Sequence, residues 1–433
     1  MSNKIVSYFS FFLLLNFILF CSGGQVKNEN RARPQFVMSS DFKTGLYIPA
    51  SWNRLTLNED ASIQVGNEYS EAYLLVISES KLHFEDNFTF NDYFDLITNG
   101  IIETTSAKMR KPQSVLIAGK KALQTTLEGH IENLNITYLV TVTEDENNFH
   151  QIVSWSLSNV FEKNKENILF AVNSFKTYGK PQSLNPAMNF MKITGIIHSF
   201  ESFQDLISST TEKQKKLYPE HIIKKITKAM HEAFDSKSLI DNAAYLIAVK
   251  ATKKELEKLT NKFKNPLLKK VVDLENKAHS PEEHEKSAQF MVNTDFSDPQ
   301  IQKRYELAKR FDHAINGTKY AVALGQTIVE VSLKSLFASM PEDKTPHEDI
   351  IDRKILEQKL YLANKIGDTI PKTFVYQYQE LSDEEFLNYI LFSESEDGQL
   401  YNDLSRSAIF HAIDLAAKDY GERLARIDFQ SQN

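Results

Sequence analysis

The stretch Ile136-Thr-Tyr-Leu-Val-Thr-Val-Thr143, Glu144-Asp-Glu-Asn-Asn148, Phe149-His-Gln-Ile-Val-Ser-Trp-Ser-Leu157 decides the fold of the first part of the chain. Ile136, Tyr138, Val140 and Val142 alternate with Thr137, Leu139, Thr141 and Thr143, the period of a strand. The polar run Glu144 to Asn148 makes a hairpin loop. Beyond it Phe149, Gln151, Val153 and Trp155 share one face of the returning strand. A lone hairpin is marginal in water, so such a pair needs a larger sheet around it.

The flanking sequence supplies one. Ser114 to Ile117 and Ala122 to Leu127 read as strands. Ala72-Tyr-Leu-Leu-Val-Ile-Ser78 is apolar on both faces and belongs at the centre of a sheet. Tyr47-Ile-Pro-Ala-Ser-Trp52 reads as a short strand and turn, because Pro49 has no N–H for a ladder. Asn91 is expected to cap a helix carrying Tyr93, Phe94, Ile97, Ile101 and Ile102. Ser158 or Asn159 is expected to open another, carrying Phe161, Ile168, Leu169, Val172 and Phe175. Residues 41–178 are therefore expected to form an α+β domain, an antiparallel sheet with helices packed over it. Trp52, Trp155 and Phe175 belong in its core.

This region resembles the PsbP-like fold, named for an extrinsic photosystem subunit and found also in a nuclear-transport GTPase cofactor and in bacterial lipoproteins. The likeness is carried by Ile48-Pro49-x-x-Trp52, by Gly119-x-x-Ala122-x-x-Thr125, by the run from Ile136-x-Tyr138 to Gln151-Ile152-Val153-Ser154-Trp155, and by Ala171-Val172-Asn173-Ser174-Phe175. It implies a domain that docks onto partners, and no catalytic set comes with it.

Residues 176–186 read as a linker, and after it the strong signals have helical period. Pro219 opens a helix with Ile222, Ile223, Ile226, Met230 and Ala233 on one side. Leu239, Ile240, Ala243, Leu246 and Ile247 make the next. Thr252-Lys-Lys-Glu255 is a capping box, followed by Leu256, Leu259 and Phe263, a break at Asn265-Pro266 and a further helix through Leu274. Ser382-Asp-Glu-Glu385 repeats the device, followed by Phe386, Ile390 and Phe392, a break at Glu396-Asp397-Gly398 and a terminal helix. Residues 187–433 are expected to be all-helical, in two related halves, 187–280 and 281–433. Phe263 and Phe392 would then plug the same gap in each half. Independent use of common capping chemistry is the other reading. The pattern also resembles a small helical bacterial domain of unknown function, which implies no activity.

At the other end, Lys4 precedes the apolar run Ile5 to Phe20, which stops at Cys21-Ser-Gly-Gly. This reads as a signal peptide over residues 1–21. Ile18-Leu19-Phe20-Cys21 resembles a lipobox, with Cys21 the acylated residue; Phe20 stands where a small residue is usual. A spanning helix needs about 20 apolar residues, and Ser7, Ser10 and Asn16 interrupt a shorter run. An uncleaved signal anchor is the alternative. Residues 22–40 lack periodicity and read as a flexible tether. Cys21 is the single cysteine, so no disulfide is expected.

With 57 acidic against 50 basic residues the chain carries −7, which disfavours non-specific nucleic-acid binding. The charge is uneven. Residues 211–270 hold fifteen lysines against seven acids, and residues 380–397 hold seven acids with no Lys or Arg. Solvated helix faces are one reading. Mutual packing of the two halves, or a basic face toward anionic headgroups, are the others; Glu255 and Glu257 weaken the last. The sequons at Asn87, Asn135 and Asn316 matter only in a eukaryotic secretory pathway.

Chemistry is scarce. His279-Ser-Pro-Glu-Glu-His284 reads as a solvated helix cap rather than a metal pair. His347-Glu-Asp-Ile-Ile-Asp352 reads as the acidic first turn of a helix, and Asp295 with Asp298 as an ordinary carboxylate pair. The chain holds no nucleophile elbow, zincin helix, phosphate loop or dinucleotide fingerprint. No catalytic residue, cofactor or metal ligand is therefore assigned. The expected function is non-catalytic: partner binding or scaffolding in a bacterial cell envelope, at the outer membrane or the periplasmic face of the inner membrane, with lipid on Cys21 as the membrane contact and an unknown envelope protein as partner. A carrier of a small apolar ligand, with a closed cavity between helices, and a hydrolase, with a cleft joining distant His and carboxylates, are the alternatives.

Overall fold

The Ile136–Leu157 hairpin lies in the middle of an eight-stranded antiparallel sheet. The computed structural model describes residues 34–202, 220–338 and 348–427, apart from residues 56, 59 and 86. Two compact units divide this chain between Lys180 and Pro181.

The first unit runs β1 (Gln35–Met38), β2 (Thr44–Ile48), β3 (Asn53–Arg54), β4 (Ile63–Asn67), β5 (Ala72–Ser80), α1 (Phe90–Thr105), β6 (Lys108–Met109), β7 (Gln113–Ile117), β8 (Lys120–Ile131), β9 (Leu134–Glu144), β10 (Asn148–Leu157), α2 (Phe161–Asn173) and β11 (Lys176–Thr177). The main sheet has the order β3-β4-β5-β10-β9-β8-β6, with β7 also on β8; β1, β2 and β11 form a second, small sheet. In the register of the central hairpin Val140 pairs with Val153 and Glu144 with Phe149. Its pleat feeds two cores. Leu139, Ile152, Leu74 and Val76 pack with Trp52, Phe161, Ile168, Val172 and Phe175. Val140, Val142, Phe149 and Val153 pack with Tyr93 and Phe94 of α1. Apolar residues on both faces of β5 thus place it centrally, between β4 and β10. Trp52 is 1 % exposed and Phe175 2 %. Trp155 is half-buried and stacks on Tyr73, with centroids 5.5 Å apart.

Three local expectations are corrected. Gln35–Met38 is a strand paired with β2, with Val37 and Met38 buried, so a tether cannot extend to residue 40. Lys176 and Thr177 pair with β2 and belong to the fold rather than to a linker. The cap of α1 is Thr89, not Asn91. The Thr89 hydroxyl accepts from the Asp92 N–H while the Asp92 carboxylate accepts from the Thr89 N–H, a capping box with Asp in the third position. α2 starts after Val160 without any side-chain cap.

The second unit is helical: α3 (Asn185–Ile193), α4 (Glu220–Ala233), α5 (Ser236–Lys250), α6 (Lys253–Lys262), α7 (Pro266–Ala278), α8 (Pro281–Asn293), α9 (Pro299–Ile315), α10 (Gly317–Ala338), α11 (Glu348–Gln377), α12 (Asp383–Glu394) and α13 (Glu396–Ala425). Thr252 and Ser382 both form complete capping boxes, with Glu255 and Glu385. Asn265 then caps α7 and Ser395 caps α13, at the same chain distance from the preceding cap. Leu256, Leu259 and Thr260 are buried in α6, and Phe386, Tyr389 and Ile390 at the matching places in α12. The helices after the breaks differ in length: α7 has 13 residues and α13 has 30.

Phe392 does not match Phe263. With the caps aligned it falls one residue short, about 100° around a helix. The buried position there is Ser393, while Phe392 is half-buried and packs on Phe263 itself, at 5.7 Å. The uneven charges meet as well. Lys258 and Lys262 both reach Asp397, at 2.5 Å each, and Lys270 reaches Glu385 at 3.0 Å. Lys277 pairs with Glu380 at 2.8 Å. Pairs this exposed add little to stability and serve mainly to fix register.

Among the described residues no helix is long and apolar enough to cross a membrane. The signal peptide, Cys21 and His347 lie outside the described residues.

Candidate functional site

The helical unit contains a pocket of about 140 Å³. α7 supplies Glu275 and Asn276, and His279, its C-cap, follows about one turn on. α9 and α11 supply Phe311 and Phe374, and Tyr378 follows α11. α12 supplies Tyr389, and α13 brings Tyr401, Asn402, Ser405 and Arg406. The chain at residues 194–199 closes one side. Gly195 takes φ +81°, and a Cβ there would sit 2.7 Å from Asn276 Oδ1. Glycine is what lets this backbone lie against α7, and Ser199 Oγ thereby comes within 2.9 Å of His279 Nε2.

Glu275 is the centre of the site. Tyr378 and Tyr389 donate their hydroxyls to its Oε1, at 2.7 and 3.0 Å. Burial raises the Glu275 carboxyl pKa, and the two tyrosine donors offset part of that rise. The residue still keeps some surface, because one side of it lines the pocket. Burial, then the Glu275 charge, holds Tyr378 and Tyr389 well above the ordinary phenol value. Burial likewise lowers His279 well below 6.5, with His198 and His284 adding to the effect, so its imidazole is neutral near pH 7. Arg406 turns its guanidinium to the backbone, donating to the carbonyls of Asn402 and Ile315 at 3.0 and 2.7 Å.

His279 is thus a buried pocket residue, not the solvated cap expected from its spacing to His284. The side chain of Ser280 caps α8 instead. Asp298 caps α9, and Asp295 accepts from Ser297 in the turn before it. The pocket also differs from the closed apolar cavity expected of an apolar-ligand carrier, since Glu275, His279, Asn402 and Arg406 line it. It does join a histidine to a carboxylate and a serine. However, Glu275 is engaged by the tyrosines and not by His279, so the helix does not orient an acid–base–nucleophile chain.

A Ser–His–Asp sequence of contacts lies in the first unit. Ser78 Oγ is 2.8 Å from His150 Nδ1, and Asp145 Oδ2 is 3.0 Å from His150 Nε2. His150 is 1 % exposed and lies against the Phe175 ring. Asp145, held at about 2, with burial opposing and the Asn147 N–H, His150 and the Asn148 N–H lowering it, also accepts from the backbone N–H groups of Asn147 and Asn148. The arrangement ties down the β9–β10 loop and leaves the imidazole out of reach of a substrate.

None of the pocket carboxylate and tyrosines stood out in the sequence. Two signals were present: Glu275 and His279 one helical turn apart, and the aromatic density of Phe374, Tyr376, Tyr378, Phe386, Tyr389, Phe392 and Tyr401. Aromatic stripes usually mark core, and here they mark core and pocket wall together.

No family model matches the chain, and no curated protein matches it. Solved structures similar to it include the cyanobacterial PsbP of Synechocystis, at 11 % identity and a TM-score of 0.28, covering 36 % of this chain and 98 % of that one. LpqN, involved in cell envelope biogenesis of Mycobacterium tuberculosis, matches at 10 % identity and TM-score 0.28, covering 34 % and 92 %. A Bacteroides thetaiotaomicron protein matches at 12 % identity and TM-score 0.27, covering 50 % and 78 %. Likenesses this distant transfer no activity.

Proposed function

We propose that this is a non-catalytic binding protein of the cell envelope, anchored through lipid on Cys21, whose helical unit holds a small ligand. The pocket around Glu275 carries the reading: aromatic walls with a few converging polar groups are the usual make-up of a ligand site. Its volume, about 140 Å³, is close to that of an engineered cavity of about 150 Å³ that holds benzene, so the ligand is small. The binding reading is favoured over hydrolysis because the pocket carboxylate takes tyrosine donors on Oε1 and makes no hydrogen bond to His279, whose Nε2 is on Ser199.

Filling the pocket tests this. Small fragments are expected to give saturable ligand-observed NMR signals with the full chain in mild detergent, and to lose them in Ser405→Phe, which places a ring in the space. Fragments that fail to saturate, or that bind the folded variant equally, overturn the reading.

The anchor rests on the Lys4–Cys21 signal. Cys21→Ser is expected to abolish labelling by a fatty-acid probe and to release the protein from membranes. Unlabelled protein that stays on the membrane without that substitution would point to an uncleaved anchor.

A further inference from the structure

The two oxygens of Glu275 are not equivalent. Both tyrosine hydroxyls go to Oε1. Among the described residues Oε2 accepts no hydrogen bond, and Glu275 lines the pocket. Nor does any Lys, Arg or His among the described residues pair with this carboxylate. The nearby lysines of α7 are spent elsewhere: Lys270 on Glu385 and Lys277 on Glu380.

The remaining charges facing the pocket do not supply a counterion. His279 is neutral, with Nε2 on Ser199, and the Arg406 guanidinium is turned to backbone carbonyls. A buried carboxylate normally has a partner of opposite charge or takes up a proton. Two tyrosine donors favour the charged form, and the rings of Phe311, Phe374 and Tyr401 line the space; an aromatic face offers π density that attracts cations.

We propose that the pocket recognises a small primary amine on a compact apolar body, with the ammonium on Glu275 Oε2 and the body against the aromatic walls. This rests on the reading of the pocket as a ligand site and adds the charge of the ligand. Anions are excluded by the same carboxylate. Neutral molecules of equal shape gain the walls but not the ion pair, and a charge-assisted hydrogen bond is about twice as strong as a neutral one. Because burial raises the Glu275 pKa, acid is expected to weaken amine binding as the carboxylate takes a proton.

Benzylamine, benzyl alcohol and benzoate test the idea on the full chain, by titration calorimetry at pH 7.5. Benzylamine is expected to bind at least about tenfold more tightly than benzyl alcohol, with benzoate not binding; 1.4 kcal/mol corresponds to that factor. Glu275→Gln, nearly isosteric, is expected to erase the preference for the amine. If benzyl alcohol or benzoate binds the parent protein as tightly as benzylamine, the ligand site stands and its cationic specificity falls. If none of the three binds and the wider fragment set is silent, both readings fall. The comparison within the parent protein decides the question even if Glu275→Gln fails to fold.

Discussion

Phe263→Ala is expected to cost about 3–5 kcal/mol of stability, while Phe392→Ala costs clearly less, although both residues follow a capping box at nearly the same distance. Phe263 is 1 % exposed and sits at the C-terminal end of α6, where its ring meets Tyr401 at 4.6 Å and Phe392 at 5.7 Å. Its removal leaves a ring-sized hole between α6, α12 and α13. The backbone around it is held by the Asn265 cap on one side and the Lys262–Asp397 pair on the other, so it cannot collapse inward. Phe392 is half-buried, and solvent can replace part of what its ring covers. Chemical denaturation of the two variants gives the comparison. Equal losses would mean that the one-residue offset between the rings has no energetic consequence.

That offset shows what the sequence made legible and what it hid. Capping chemistry is local, and Thr252, Glu255, Ser382 and Glu385 formed the boxes their spacing required. Sheet pairing was legible for the same reason: alternation over Ile136–Trp155 fixes which side chain lies on which face, and β5 is apolar on both. Thr89 was missed as a cap because Asp replaces the more usual Glu or Gln at the third position. β1 was missed because Gln35-Phe-Val-Met38 is four residues in a polar setting, and it gains its stability only by pairing with β2. Direction around a helix changes by about 100° per residue, so a one-residue error in aligning Phe392 was enough to send its ring elsewhere.

The pocket was hidden for a different reason. Glu275 lies in Val272-Asp-Leu-Glu-Asn-Lys277, which reads as an ordinary amphipathic helix. What distinguishes it from Asp273, which is exposed, is which face of α7 is covered by Tyr378 and Tyr389. Those residues lie about a hundred positions further on, and no local pattern encodes their approach. The charge segregation was the legible part of that approach, since Lys270 and Glu385, and Lys277 and Glu380, hold α7 beside the segment that brings the tyrosines.

Phe311→Ala is expected to cost about as much as Phe263→Ala, about 3–5 kcal/mol, and to damage the pocket as well as the fold. Phe311 is 2 % exposed, and four aromatic rings surround it: Phe374 and Tyr389 at 5.0 Å, Tyr378 at 5.3 Å and Phe386 at 5.8 Å. Phe374 and Tyr378 meet it edge-on, and pairs of that kind add about 0.5–1.5 kcal/mol each beyond the area they bury, so the loss belongs at the upper end of the range. The same ring is one wall of the pocket. Its removal enlarges the space beside Glu275 and frees Tyr378 and Tyr389 to turn away from Oε1. Tyr389→Phe separates the two effects. It keeps the ring and removes one donor to the carboxylate, with an expected cost of about 1–3 kcal/mol. If Phe311→Ala costs no more than Tyr389→Phe in thermal or urea unfolding, the aromatic cluster is not what holds α9, α11 and α12 together, and the tyrosine–carboxylate bonds carry that role.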